Sequence, residues 1–168
     1  MIFLNIQTKE ISCSTKILTI QIKRKGIEDI RIWRCWKFAC EKNLLQNFRD
    51  WFLKENDKIF VGYNILKFDL PLLLLKLSSM EKFDDFFLKL NRANILDLFA
   101  ILTFLKKEIK GFGYYCKKYN IETVPKEKIM DFYNKRDYKR MEEGIIKNLR
   151  ASEKLYLKIM EKYVRILS

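Results

Sequence analysis

Asn5 and Gln7 stand two residues apart in a short apolar run, so a strand there would send both amide side chains out of one face. Downstream, Asn64, Phe68, Asp69 and Pro71 fall within the segment Gly62 to Pro71, and Asp97 follows the apolar pair Ile95-Leu96. Near the end, Gly144, Asn148 and Ser152 recur every fourth residue, the spacing of one helix face. These groups offer oxygen atoms to a hard cation, yet amides bring none of the negative charge that carboxylates supply. Histidine is absent from all 168 residues, which excludes imidazole zinc sites, Ser/His/Asp triads and histidine general bases. Cys13, Cys35, Cys40 and Cys116 are irregularly spaced, and the Cys35 and Cys40 pair has no second pair to complete a zinc site; reduced, mostly buried thiols are expected.

The partner class is set by charge. Lys+Arg number 34 against 21 Asp+Glu, giving +13 and a pI near 9.6, a balance that attracts polyanions. Basic clusters at Lys23-Arg24-Lys25, Lys106-Lys107, Lys117-Lys118 and Lys135-Arg136 could track a phosphate backbone, with Tyr63, Phe68 and Trp33 as stacking surfaces. The competing reading is a Lys- and Glu-rich solvated surface of thermophilic type. With 49% apolar and 14% aromatic residues the chain can bury a full core, and one domain over 1–168 is expected. Its apolar stretches, Leu70 to Leu75 and Leu98 to Leu105, fall short of the roughly 20 residues that span a bilayer. Met1 to Leu4 lacks the basic flank of a secretory signal, so a cytoplasmic protein without a membrane partner is expected.

Elements must then position these residues. Alternation predicts strands over Ile2 to Ile6, Ile17 to Lys23 and Glu28 to Cys35, with Lys25-Gly26 as the turn between the last two. Leu44, Leu45, Phe48, Trp51 and Phe52 predict an amphipathic helix over Glu41 to Lys54, followed by a strand over Lys58 to Gly62. A buried helix is expected over Phe68 to Leu77, with Asp69 and Pro71 in its first turn. A strand over Asn94 to Leu98, helices over Phe99 to Lys107 and Tyr114 to Tyr119 around a break at Gly111 to Gly113, and a long helix over Arg136 to Leu167 complete the reading. That last helix carries Met141, Ile145, Leu149, Leu155, Ile159 and Tyr163 on its apolar stripe. The fold class expected is α/β with a mixed sheet.

In order and spacing, these segments resemble the DEDD (DnaQ-like) 3′–5′ exonucleases. Phe3 to Thr8 resembles the first exonuclease motif, whose Asp-x-Glu pair binds metal; here Asn5 and Gln7 stand in those places. Gly62 to Pro71 resembles the second motif, Asn-x-x-Phe-Asp-x-Pro opening a helix, and keeps its acid at Asp69. Anchoring the third motif on Ser152 and Leu155-Tyr156 puts Asn148 where the family has its last Asp and Gly144 where it has Tyr or His. Asp131 to Asp137 resembles the approach to that motif in exonuclease domains related to family B DNA polymerases.

The resemblance implies an RNase H-like mixed sheet with helices on both faces. It also implies magnesium or manganese in active relatives, whereas this chain would expect no metal, its only retained ligand being Asp69. The function expected is a catalytically inactive relative that binds single-stranded DNA or RNA, or 3′ ends, without hydrolysis. Its contacts are expected from Thr8, Tyr63, Asn64, Lys67, Phe68, Lys23, Arg24, Lys25, Lys117 and Lys118. Two alternatives stand beside it. One is an interaction subunit of a replication or repair assembly, suggested by Trp33, Trp36 and Phe38 on an edge strand. The other is an exonuclease with residual activity, or a deliberately inactivated variant of an active one.

Overall fold

The computed structural model describes residues 1–10, 15–56 and 59–164, with side chains as far as residue 162. Cys13, Lys58, the Tyr163 side chain and the expected helix end at 165–167 lie outside what is described. The chain divides into two compact units, Met1–Asp97 and Leu98–Ser168.

The first unit holds a five-stranded sheet in the order β3-β2-β1-β4-β5. Its strands are β1 (Ile2–Thr8), β2 (Ile17–Arg24), β3 (Ile30–Arg34), β4 (Ile59–Gly62) and β5 (Asn94–Asp97). β1, β2 and β3 pair antiparallel, and β4 lies parallel to both β1 and β5, giving the mixed sheet expected from the sequence. Both faces of β1 and β2 are buried almost throughout, so the polar side chains on them must find partners inside the protein. Helix α1 (Glu41–Lys54) lays Leu44, Leu45, Phe48 and Phe52 on the sheet. Phe48 meets Trp33 edge-on at 5.2 Å, and Phe52 contacts Phe60 at 5.3 Å. Such burial contributes roughly 1.5–3 kcal/mol per large apolar side chain. Glu41 at the head of α1 accepts the Ile17 N–H at 2.7 Å and pairs with Lys76 at 3.2 Å, tying the helix to β2 and to α2 (Leu70–Leu77).

The helix expected over Phe68 to Leu77 is present as α2, and a π-helical turn, Ile65–Asp69, runs into it where the first two residues of that span were expected to be α-helical. Helix α3 (Phe83–Asn91) was not foreseen, although Phe83, Phe86, Phe87 and Leu90 follow its period. Phe86 packs against Phe52 at 4.7 Å.

The second unit is helical: α4 (Leu98–Lys106), α5 (Phe112–Lys118), α6 (Lys126–Asn134) and α7 (Tyr138–Val164). The break expected at Gly111 to Gly113 is shorter than that, because Gly111 caps α5 and Gly113 lies inside it. α5 ends in a Schellman motif, with Asn120 left-handed at φ 54° and the Ile121 N–H reaching the Cys116 carbonyl at 2.8 Å. α6, also unforeseen, starts after Pro125 and buries Ile129. Along α7, Met141, Ile145, Leu149, Leu155 and Ile159 are buried, as their spacing requires. No described helix is long and apolar enough to cross a membrane.

Candidate functional site

In the first unit the chain leaves β4 through a turn that only certain residues can make. A Cβ on Gly62 would meet Ile65 Cβ at 2.8 Å and the Leu4 carbonyl at 3.0 Å, so this position excludes every larger residue. Asn64 then adopts φ 62°, a left-handed conformation that asparagine tolerates better than most side chains. Its carbonyl accepts the Lys67 and Phe68 N–H groups at 3.3 and 3.1 Å, starting the π-helical turn. Neither Asn64 nor Asp69 caps a helix with its side chain.

Two buried carboxylates hold that turn. Asp97 ends β5 beside Gly62; its Oδ1 accepts the Asn64 N–H at 2.8 Å and its Oδ2 the Leu66 N–H at 3.1 Å. Asp69, 4% exposed, turns back to β1, where Oδ1 accepts the Ile6 N–H at 2.8 Å. The acid of the segment that resembles the second motif is thereby brought to the residue between Asn5 and Gln7.

Pairing confirms that Asn5 and Gln7 share a strand face, since they lie opposite Gln21 and Thr19 on β2. Asn5 Nδ2 donates to Gln21 Oε1 at 2.9 Å, Gln21 donates in turn to Thr19 Oγ1, and Gln7 Nε2 donates to the Thr8 carbonyl at 3.5 Å. Gln7, Thr19 and Gln21 are buried and Asn5 is half-buried. The face is an amide-rich strip within the protein. Thr8, expected to meet nucleic acid, is 1% exposed and donates to the Glu10 carbonyl at 2.6 Å, so it has no surface to offer.

Gly144 and Asn148 belong to the second unit, on α7. Asn148 pairs with one backbone residue in both directions: Oδ1 accepts the Val124 N–H at 2.8 Å and Nδ2 donates to the Val124 carbonyl at 2.8 Å. A turn earlier, a Cβ on Gly144 would meet Ile129 Cγ1 and Val124 Cγ1, both at 3.4 Å. Beside them Lys147 donates to Glu122 at 2.6 Å, which holds the Glu122 carboxyl below its usual range. Ser152 back-bonds to the Asn148 carbonyl at 3.2 Å. This face of α7 is therefore closed by the 122–124 segment and by α6; sequence spacing alone carried no sign of the clamp.

Of the basic residues, Lys23 must be removed from the expected set: it is 2% exposed and its ammonium donates to the Ile27 carbonyl at 2.6 Å. Facing Phe3 on β1, its side chain lies on the inward strip, which a clustered Lys-Arg-Lys reading overlooks. Arg24 is half-buried and paired with the buried Glu55. Lys25, Lys67, Lys117 and Lys118 are exposed, and Tyr63, Asn64 and Phe68 are half-buried. Trp33 is not available for stacking; it packs on Phe48 and Trp51 and is 7% exposed. Cys35 and Cys116 are buried free thiols, and burial pushes the Cys116 thiol up to about 12. Cys40 is exposed. Among the described residues, no three of His, Cys, Asp or Glu come together in a way that could hold a metal ion.

Comparison with known proteins places this geometry. No curated protein sequence matches the chain. In structure it is similar to the family B DNA polymerase of the hyperthermophilic archaeon Pyrobaculum calidifontis, with TM-score 0.72 and 12% identity. The likeness covers 95% of this chain and 24% of that polymerase, so the chain spans about a quarter of that protein. It shows the fold, the RNase H-like α/β arrangement of DnaQ-like exonucleases. Residues 5–140 match the family model described as DNA polymerase family B, exonuclease domain, a span that contains Asn5, Gln7, Asp69 and Asp97 and ends before Gly144 and Asn148. The chain belongs to the exonuclease-domain family of the family B DNA polymerases.

Proposed function

We propose that this chain, acting as a single exonuclease-like domain over 1–168, holds single-stranded DNA or RNA, or a 3′ end, without hydrolysing it. The observation that carries this reading is the poverty of negative charge around Asp69. Exonuclease domains of this family use divalent metals, and two-metal hydrolysis needs a pair of ions about 3.5–4 Å apart, neutralised by carboxylates. At the four positions that resemble the family's acids stand Asn5, Gln7, Asp69 and Asn148, and the Oδ1 of Asp69 is engaged by the Ile6 N–H. Asp97 turns its two oxygens to the Asn64 and Leu66 N–H groups and so holds the turn after β4; even counted with Asp69 it makes only two carboxylates. The residues present do not fit two divalent ions. A general base is missing as well, because Gly144 has no side chain and the chain has no histidine. The +13 charge and the exposed Lys25, Lys67, Lys117 and Lys118 support attraction to a phosphate backbone.

The test is to titrate the protein into a fluorescent single-stranded oligonucleotide at low and moderate salt, then add magnesium or manganese. Binding should weaken with a slope of about −0.7 in log K per phosphate contact, and the oligonucleotide should keep its length. Metal-dependent shortening from the 3′ end would overturn the loss of catalysis, and absence of binding at low salt would overturn nucleic-acid retention.

A further inference from the structure

We infer that the connection between α4 and α5 is a stacking platform for single-stranded nucleic acid, built from residues outside the three motif segments. Large apolar side chains are exposed singly on any surface, but here they gather in a short stretch. Phe104 in the last turn of α4 is 83% exposed and Ile109 is 77% exposed, with Tyr114 at 44%. Around them, residues 104–118 carry five lysines (106, 107, 110, 117 and 118) against one acid, Glu108.

The stretch is pinned in place. Lys107 takes φ 53° and closes α4 through its N–H to the Thr103 carbonyl at 2.8 Å. Tyr115, fully buried, donates its hydroxyl to the Glu108 carbonyl at 2.8 Å, fixing the middle of the loop to α5. Glu108 lies 3.9 Å from Lys118 and accepts the Tyr114 hydroxyl at 3.3 Å, while Lys110 and Lys118 stand 5.5 and 5.6 Å from the Tyr114 ring centre. Ammonium groups are thus held beside an aromatic ring, and Phe104 presents a second ring to solvent. A pre-ordered surface loses less entropy on binding.

The occupant follows from this chemistry. Protein interfaces deplete lysine at their centres, and membrane-surface helices need a longer continuous apolar face than three residues. Rings interleaved with lysines suit unpaired bases that stack while their phosphates meet the ammonium groups. This inference rests on the single-strand-binding reading and deepens it by naming a surface; it does not depend on loss of catalysis.

The experiment measures oligothymidylate binding by the full chain, with Phe104→Ala, a Lys110→Ala/Lys117→Ala double variant, and a Lys25→Ala/Lys67→Ala double variant as control. Circular dichroism melts check that each folds. Phe104→Ala should weaken binding about tenfold with the salt slope unchanged, as loss of one stacked base requires. The Lys110→Ala/Lys117→Ala variant should flatten the slope by about 1.4 in log units, two phosphate contacts' worth. If Phe104→Ala binds within twofold of the parent while the control variant is weakened, this platform is excluded and the proposed function survives. A parent that fails to bind at low salt overturns both. Self-association lost in Phe104→Ala with unchanged oligonucleotide affinity would show the patch to be a protein interface and sink the inference.

Discussion

Of the three segments that resemble catalytic motifs, the second and the third use their polar residues in different ways. Around Asn64 stand two buried acids, Asp69 and Asp97, and each of their oxygens with an assigned partner accepts a backbone N–H. Gly144 and Asn148 themselves carry no charge, and the positions serve helix packing and the Val124 clamp. The difference lies in the backbone groups each side chain faces. Asp97 meets two donors, which only a carboxylate can satisfy together, whereas Asn148 meets one donor and one acceptor, which an amide satisfies and an ionised acid does not. Residue identity at both places follows from local hydrogen bonding.

The largest break in this contrast should come from placing an aromatic side chain at Gly144 on α7. Gly144→Ala places its Cβ at ordinary contact distance from Val124 and Ile129 and should be neutral or slightly stabilising, since alanine favours a helix interior. Gly144→Tyr must drive a ring into the same neighbours and should cost about 3 kcal/mol in urea unfolding. Equal stability of the two variants would mean that the face is open. Next in size is Asn148→Asp, which loses the donor to the Val124 carbonyl and sets a negative charge against it, a cost of about 2 kcal/mol at neutral pH. The introduced carboxyl would have its folded pKa raised above the unfolded value of about 3.9, because only its protonated form can donate. Stability of the variant relative to the parent is then fullest below the unfolded pKa and declines as pH rises through the raised value. A deficit that does not shrink between pH 7 and pH 4 would contradict the clamp.

Much of this architecture was legible because periodicity reports burial directly: Leu44, Leu45, Phe48 and Phe52 marked α1 to its ends, and Ile145, Leu149 and Ile159 marked α7. The second motif was legible because Gly62 and Asn64 are imposed by backbone geometry that few residues satisfy. Lys23 and Thr8 were misread for a different reason. Their inward placement depends on strand pairing, and on a sheet buried on both faces polar side chains also turn inward, where cluster counting reads them as surface. Trp33 was misread similarly, since an edge strand can still have one face covered by a helix. The Asn148 clamp joins residues 24 positions apart, and no local pattern signals such a pair.

The smallest effects, and the finest test of the contrast, lie with the two buried acids, Asp69 and Asp97. Asp97→Asn leaves one oxygen for two N–H groups and turns an NH2 toward the other, so Asn64 or Leu66 loses its acceptor at about 1–2 kcal/mol. Asp69→Asn keeps an oxygen for the Ile6 N–H and should cost less, about 0.5–1 kcal/mol. If Asp69 serves the backbone and no metal, Asp69→Asn should leave oligonucleotide affinity at least equal to the parent's with or without magnesium, because removing a negative charge only favours phosphate. A magnesium-dependent gain in parent affinity that vanishes in Asp69→Asn would instead make Asp69 a working ligand, and the two motif regions would differ in chemistry as well as in packing.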